Sequence, residues 1–201
     1  MDDRAVLRSV DLDLVPGITV LRGPNGAGKT TALRALAGLV PLARGTREVP
    51  FDVLYIGHRP QLLHGLTPRE SLRFFLEFRG PTSRAWATPV KTTAREMRED
   101  RIRAACDRWG LAGEADRPIE RLSAGQRRRA ALARLDLETC ALTLLDEPFA
   151  DLDESGSALL WSWLREARPL GVAVLVASHG HADLDAVAVR AYTLHEGRVA
   201  A

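Results

Sequence analysis

The sequence predicts an α/β fold, a mostly parallel sheet carrying one helical insertion, and three observations support that prediction. Four short apolar runs, Ile18–Leu21, Val53–Ile56, Ala141–Leu145 and Val172–Ala177, have strand length and lack the strict polar alternation of a one-sided sheet. Segments with helix-start signals lie between them, and alternation of buried strands with helices is the pattern of a parallel sheet. The third observation is size: 201 residues with 46% hydrophobic content suffice for one sizeable core, so a single domain over residues 1–201 is expected.

Pro16-Gly17 introduces the first strand, which enters a glycine-rich loop and then a helical pattern of Leu33, Leu36 and Ala37 that stops near Gly38 and Pro41. After the strand Val53–Ile56, Thr67-Pro68-Arg69-Glu70 supplies an N-cap, a proline at the first helical position and a capping-box acid. A helix should run from there through Phe78. Gly80–Thr93, rich in Pro, Thr and Ala, reads as a surface loop. Ser123 and Gln126 form a second capping box at the head of a helix containing Ala130, Ala131 and Ala133, and the strand Ala141–Leu145 follows directly. A helix over Glu154–Ala167, the strand Val172–Ala177 and a closing hairpin around Glu196-Gly197 complete the order. The helical insertion therefore spans about Thr67 to Glu138.

Composition removes several function classes. A net charge of +2, with lysine confined to Lys29 and Lys91, gives no basic field for nucleic acid. Arg127-Arg128-Arg129 reads as the solvated face of its helix. Cys106 and Cys140 stand far apart with no CxxC and no histidine at ligand spacing, so both are expected as small core residues. No apolar run approaches the ~18 residues of a membrane span. The acidic start Met-Asp-Asp-Arg lacks the bases and apolar core of a secretory signal, so a cytoplasmic location is expected. Trp161 and Trp163, two apart on one helix, face different ways.

The chemistry begins at Gly23-Pro24-Asn25-Gly26-Ala27-Gly28-Lys29-Thr30, which fits GxxxxGK[ST] between a strand and a helix, the context in which that pattern binds nucleotide phosphates. Its glycines let successive backbone N–H groups converge on phosphate oxygens, and the helix N-terminus adds partial positive charge. Lys29 is assigned to the β- and γ-phosphates of ATP and the Thr30 hydroxyl to Mg²⁺, with Thr31 closing the ATP-binding segment. Leu142-Thr143-Leu144-Leu145 delivers Asp146 and Glu147 at the C-terminal end of a strand, where open α/β sheets bind ligands. Asp146 suits the Mg²⁺ shell. Glu147 suits the orientation and partial deprotonation of a water attacking the γ-phosphate.

Leu122-Ser123-Ala124-Gly125-Gln126 resembles the LSGGQ signature of ABC ATPases, with Ala124 in place of the usual first glycine. Phe149-Ala150-Asp151-Leu152-Asp153 resembles the D-loop of that family and His179 its switch histidine, and the resemblance covers nearly the whole chain. It implies a P-loop ATPase of the ABC type, with an antiparallel N-terminal part beside the parallel core and a helical subdomain at about Thr67 to Glu138. It also implies a head-to-tail homodimer with two ATP molecules between the protomers. In that arrangement Ser123, Gly125 and Gln126 face the γ-phosphate bound by the other chain's Lys29. Lys29, Glu147 and His179 form the catalytic set, and Asp153 couples the two sites. The further partner implied is an integral membrane permease, which places the chain at the cytoplasmic face of the membrane as a peripheral subunit.

Within the ABC class, the Leu-Ser-Ala-Gly-Gln form, the run Asp146-Glu147-Pro148-Phe149 and Tyr55-Ile56-Gly57-His58 resemble the ATPase subunits of bacterial haem exporters of cytochrome c maturation. His58 stands where most ABC ATPases place the Q-loop glutamine, so the resemblance puts it near Mg²⁺ with Thr30 and Asp146; Gln61 is the competing candidate. One alternative is the ATPase of another exporter, for a drug, a lipid or another small molecule, because cargo is chosen by the permease. A second is a non-transport ABC ATPase, although the interval from His58 to Ser123 is too short for the coiled coil of a chromosome-structure protein. The sequence departs from the family at its start. No Phe, Tyr or Trp precedes Phe51, so the aromatic that stacks on adenine is missing, and the first strand, opening over Arg4–Leu14, is expected to be short.

Overall fold

The computed structural model describes residues 6–78, 94–138, 140–167, 171–180 and 183–200; the expected loop Gly80–Thr93 and Arg4 lie outside them. In chain order the elements are β1 Gly17–Arg22, α1 Lys29–Leu36, β2 Val53–Ile56, α2 Pro68–Phe78, α3 Ala94–Arg108, a 3₁₀ turn Ile119–Arg121, α4 Ala124–Leu132, α5 Arg134–Leu137, β3 Leu142–Asp146, α6 Glu154–Ala167, β4 Ala173–Ala177, α7 Asp183–Val187, β5 Arg190–His195 and β6 Arg198–Ala200. The chain divides into two compact units, one made of residues 1–58, 140–148 and 163–201, the other of residues 59–139 and 149–162. No helix of the described residues is long and apolar enough to cross a membrane.

The first unit is a six-stranded sheet in the order β2-β3-β4-β1-β5-β6. Pairing is parallel from β2 through β5 and antiparallel only between β5 and β6. Leu21, Leu33, Leu144, Leu175 and Leu194 lie fully buried in its core, each such side chain contributing about 1.5–3 kcal/mol of burial. The register matters for function. Ala177 pairs with Leu21 on one side and with Asp146 on the other, so β1, β4 and β3 finish level. The loop 23–28, Glu147 and His179 therefore leave the sheet from one edge.

Among the described residues the antiparallel pairing is that of β5 with β6, the hairpin expected around Glu196-Gly197, and the N-terminal segment shows none of the antiparallel pairing expected of it. The N-terminal segment meets that hairpin by a parallel bridge from Ser9 to Arg198. Arg8 and Ser9 both donate their N–H to the Gly197 carbonyl, at 2.8 and 3.2 Å, and the Ser9 carbonyl accepts from the Val199 N–H at 3.0 Å, so the segment is held at the turn and by one bond to β6.

The second unit is helical. α2 opens with the expected box, the Thr67 N–H donating to Glu70 Oε2 at 2.8 Å and the Glu70 N–H to Thr67 Oγ1 at 3.3 Å. Ile102, Trp109, Leu111 and Leu132 are fully buried. Arg134 sits 3.8 Å above the Phe75 ring and pairs with buried Glu138, so its charge is matched inside the core. Cys106 is buried, as is Cys140 in the first unit, and burial pushes the Cys106 thiol up to about 11. One expectation is overturned here. Arg127-Arg128-Arg129 is not a solvated face: Arg128 is fully buried, Arg127 donates to the Leu122 carbonyl at 2.8 Å, and Arg129 reaches the Gly110 carbonyl at 3.4 Å. Backbone carbonyls at nearby chain ends accept from the guanidiniums of Arg127 and Arg129.

Candidate functional site

The site in the first unit starts from the loop that connects β1 to α1. Gly23 adopts φ 148°, and a Cβ there would stand 2.2 Å from the Leu194 carbonyl oxygen, so only glycine lets the loop pass β5. Gly28 is the N-cap of α1 with φ 107° and gives it no side-chain cap. The orphan N–H groups of that helix end face outward with the dipole behind them, an arrangement suited to an anion. Pro24, Asn25 and Gly26 form the exposed tip, Ala27 is buried and Thr31 is half-buried on α1.

Lys29 is buried, and its Nζ donates to the carbonyls of Gly23 at 2.7 Å and Pro24 at 3.2 Å. The same ammonium lies 3.5 Å from Glu147 Oε1. That oxygen also meets His179 Nδ1 at 2.8 Å. A carboxylate can only accept, so Nδ1 carries the hydrogen of this contact and Nε2 is directed away from it. Glu147 itself takes φ 46°, its N–H bonded to the Ala177 carbonyl at 2.9 Å, so a left-handed residue aims the carboxylate back across the strand ends. Thr30 Oγ1 donates to Asp146 Oδ2 at 2.8 Å. Asp146 is buried at the end of β3, and this hydroxyl–carboxylate pair is a set of hard oxygen donors of the type that divalent cations such as Mg²⁺ take. The sequence-predicted residues Lys29, Thr30, Asp146, Glu147 and His179 are thus brought together.

Residues 7–150 match the family described as ABC transporter. The chain belongs to the ABC transporter family. As an ABC chain it is 38% identical over 191 residues to the cytochrome c biogenesis ATP-binding export protein CcmA of Hahella chejuensis, covering 89% of this chain and 83% of that one. It is 42% identical over 164 residues to the protein of the same name from Paracoccus denitrificans, covering 81% and 70%. Among solved structures, an ATP-binding subunit of an ABC transporter superimposes with a TM-score of 0.84 at 25% identity, over 100% of this chain and 84% of the other. A dimeric ATP-binding cassette bound to ADP and Pi has the same fold, with a TM-score of 0.83 at 22% identity over 100% and 92% of the two chains.

The segment Leu122–Gln126, which resembles the ABC signature, lies in the second unit and is also a helix start. Ser123 caps α4: its hydroxyl accepts the Gln126 N–H at 3.1 Å, while Gln126 Oε1 accepts the Ser123 N–H at 2.9 Å. Gln126 Nε2 donates to Glu114 at 3.2 Å, so both ends of this amide are used locally. The departure from the ABC consensus has a structural reason. A Cβ on Gly125 would stand 2.9 Å from the Asp151 carbonyl oxygen, whereas Ala124 is exposed and has room for its methyl. Asp153 caps α6, accepting from Gly156 N–H at 2.8 Å and Ser155 Oγ at 3.0 Å, and these hydrogen bonds hold its carboxyl below the usual range. Trp161 turns inward onto Phe149, with ring centroids 4.9 Å apart.

His58 is exposed two residues beyond β2, and Gln61 is exposed as well. Among the described residues no three His, Cys, Asp or Glu side chains gather at metal-binding spacing. Sequence reasoning missed one group at the Asp146 end of the site. The Tyr55 hydroxyl lies 3.5 Å from Asp146 Oδ2, and burial, with the Asp146 charge adding to it, holds this phenol above its usual range. The available signal was a hydroxyl-bearing aromatic in an otherwise aliphatic strand.

Proposed function

We propose that this chain hydrolyses ATP as the energising subunit of an ABC transporter that exports haem for cytochrome c maturation. The observation that carries the hydrolytic half is Glu147 Oε1, held between Lys29 Nζ at 3.5 Å and His179 Nδ1 at 2.8 Å at the strand ends. Lys29 and the α1 N-terminus bind the β- and γ-phosphates. Glu147 takes a proton from the attacking water as its oxygen bonds to the γ-phosphorus and the bond to the β-bridging oxygen breaks, releasing ADP and phosphate. His179 steadies the charge on the transferred group. Thr30 and Asp146 would hold Mg²⁺, with His58 as a further ligand, and the ion supplies neutralisation of phosphate charge. Ser123, Gly125 and Gln126 serve the ATP of a second copy, so the working form is a homodimer. We read residues 1–201 as one ATPase domain with a helical subdomain at about Thr67 to Glu138, docked on an integral membrane permease at the cytoplasmic face. The names carried by relatives at 38% and 42% identity support haem as cargo.

Glu147→Gln should retain ATP binding and slow hydrolysis by about a hundredfold or more; turnover at the wild-type rate would overturn the assignment. For cargo, removing the chain from its cell should abolish haem attachment to exported c-type cytochromes. Intact cytochromes beside the loss of another export activity would overturn the haem reading.

A further inference from the structure

The buried end of β2 carries a contact that the hydrolytic assignment does not use. Tyr55 is 7% exposed and its hydroxyl reaches Asp146 Oδ2, the oxygen that also accepts from Thr30. The strand register explains the reach: Tyr55 pairs with Leu144, two residues before Asp146, so its side chain shares a face with that carboxylate. Gly57 leaves the room. A Cβ there would stand 3.1 Å from the Tyr55 hydroxyl oxygen and press on it. A carboxylate can only accept, so the phenol donates to Asp146.

We infer that Tyr55 is a positioning residue for the divalent cation, its hydroxyl fixing the Asp146 carboxylate in the orientation that a cation shared with Thr30 requires. The inference rests on the reading of Thr30 and Asp146 as the cation's holders. Its physical basis is general: a ligating carboxylate that accepts a second hydrogen bond loses rotational freedom, and outer partners of this kind change metal affinity while leaving the ligand in place. Tyr55 touches neither water nor phosphate in this role. It acts through Asp146.

The test is Mn²⁺ binding, read by electron paramagnetic resonance on the full chain with ADP, beside ADP affinity measured in EDTA. Asp146→Asn should abolish Mn²⁺ binding. Tyr55→Phe, which keeps the ring and its packing, should weaken Mn²⁺ binding by about tenfold and leave ADP affinity in EDTA unchanged. Wild-type Mn²⁺ affinity in Tyr55→Phe, with Asp146→Asn deficient, would overturn this inference and leave the cation site standing. Retained Mn²⁺ binding in Asp146→Asn would overturn the cation site itself. An equal loss of ADP affinity in EDTA would also overturn the positioning role.

Discussion

Helices α1 and α4 both begin at a functional motif, and they treat their first N–H groups in opposite ways. α1 opens on Gly28, which has no side chain to cap it. α4 opens on Ser123, whose hydroxyl and backbone are locked with Gln126 in a closed box. An uncapped end keeps its donors for a ligand, whereas a boxed end gives them to itself and stays ordered without one. Ser123 still has something to offer, because its hydroxyl accepts from Gln126 and keeps its own proton to donate. The first motif is thus built to bind, and the second to present one group from a rigid helix start.

The comparison breaks most visibly at Lys29. Lys29→Ala removes the charged donor from the open end and should weaken ATP binding by about ten- to a hundredfold, the range of one hydrogen bond to a charged group, as equilibrium titration would read. The closed end should respond in stability instead. Gly125→Ala drives a methyl against the Asp151 carbonyl and should destabilise by about 1–3 kcal/mol in denaturant unfolding. Ala124→Gly, next door and exposed, should cost at most ~1 kcal/mol. Equal losses at the two positions would mean that the close approach of Asp151 does not restrain the segment.

Ser123→Ala opens the box and should cost about 1 kcal/mol of stability, visible as a lower Tm of the nucleotide-free chain. The smallest effect is pH-dependent. Hydrogen bonds from Gly156 and Ser155 depress the Asp153 carboxyl, so its contribution is fully present above the ordinary aspartate value of 3.8 and is lost as pH falls through the lower folded value. The Tm difference between wild type and Asp153→Ala should therefore persist from neutral pH down to about that ordinary value and shrink below it. A difference that grows on acidification would contradict the capping role.

Much of this was legible in the sequence because local signals and tertiary structure agreed. β2, α2 and α6 have the expected bounds, since Thr67-Pro68 and Glu154 mark helix starts without ambiguity and Val53–Ile56 is apolar throughout. α3 was not resolved as an element because its buried apolar residues Ile102, Ala105 and Cys106 lie in its second half, and Met97 stands among charged residues in the first half. The arginine run was misread for the same reason that makes charge patterns weak evidence: the carbonyls that accept from it, Leu122 and Gly110, are set by folding. Within the site, Lys29, Thr30, Asp146 and Glu147 announce themselves by spacing. Tyr55 does not, because its approach to Asp146 depends on the pairing of β2 with β3, which no single segment encodes.

The left-handed backbone at Glu147 sets folding and turnover against each other at one residue. A glutamate at φ 46° carries about 1–2 kcal/mol of strain that glycine would not. A screen for heat resistance alone would then favour glycine there, and every clone it enriched would have lost the carboxylate proposed to take the proton. Engineering this chain for durability therefore has one position to hold fixed before any other, and it is one where local stability would argue for change.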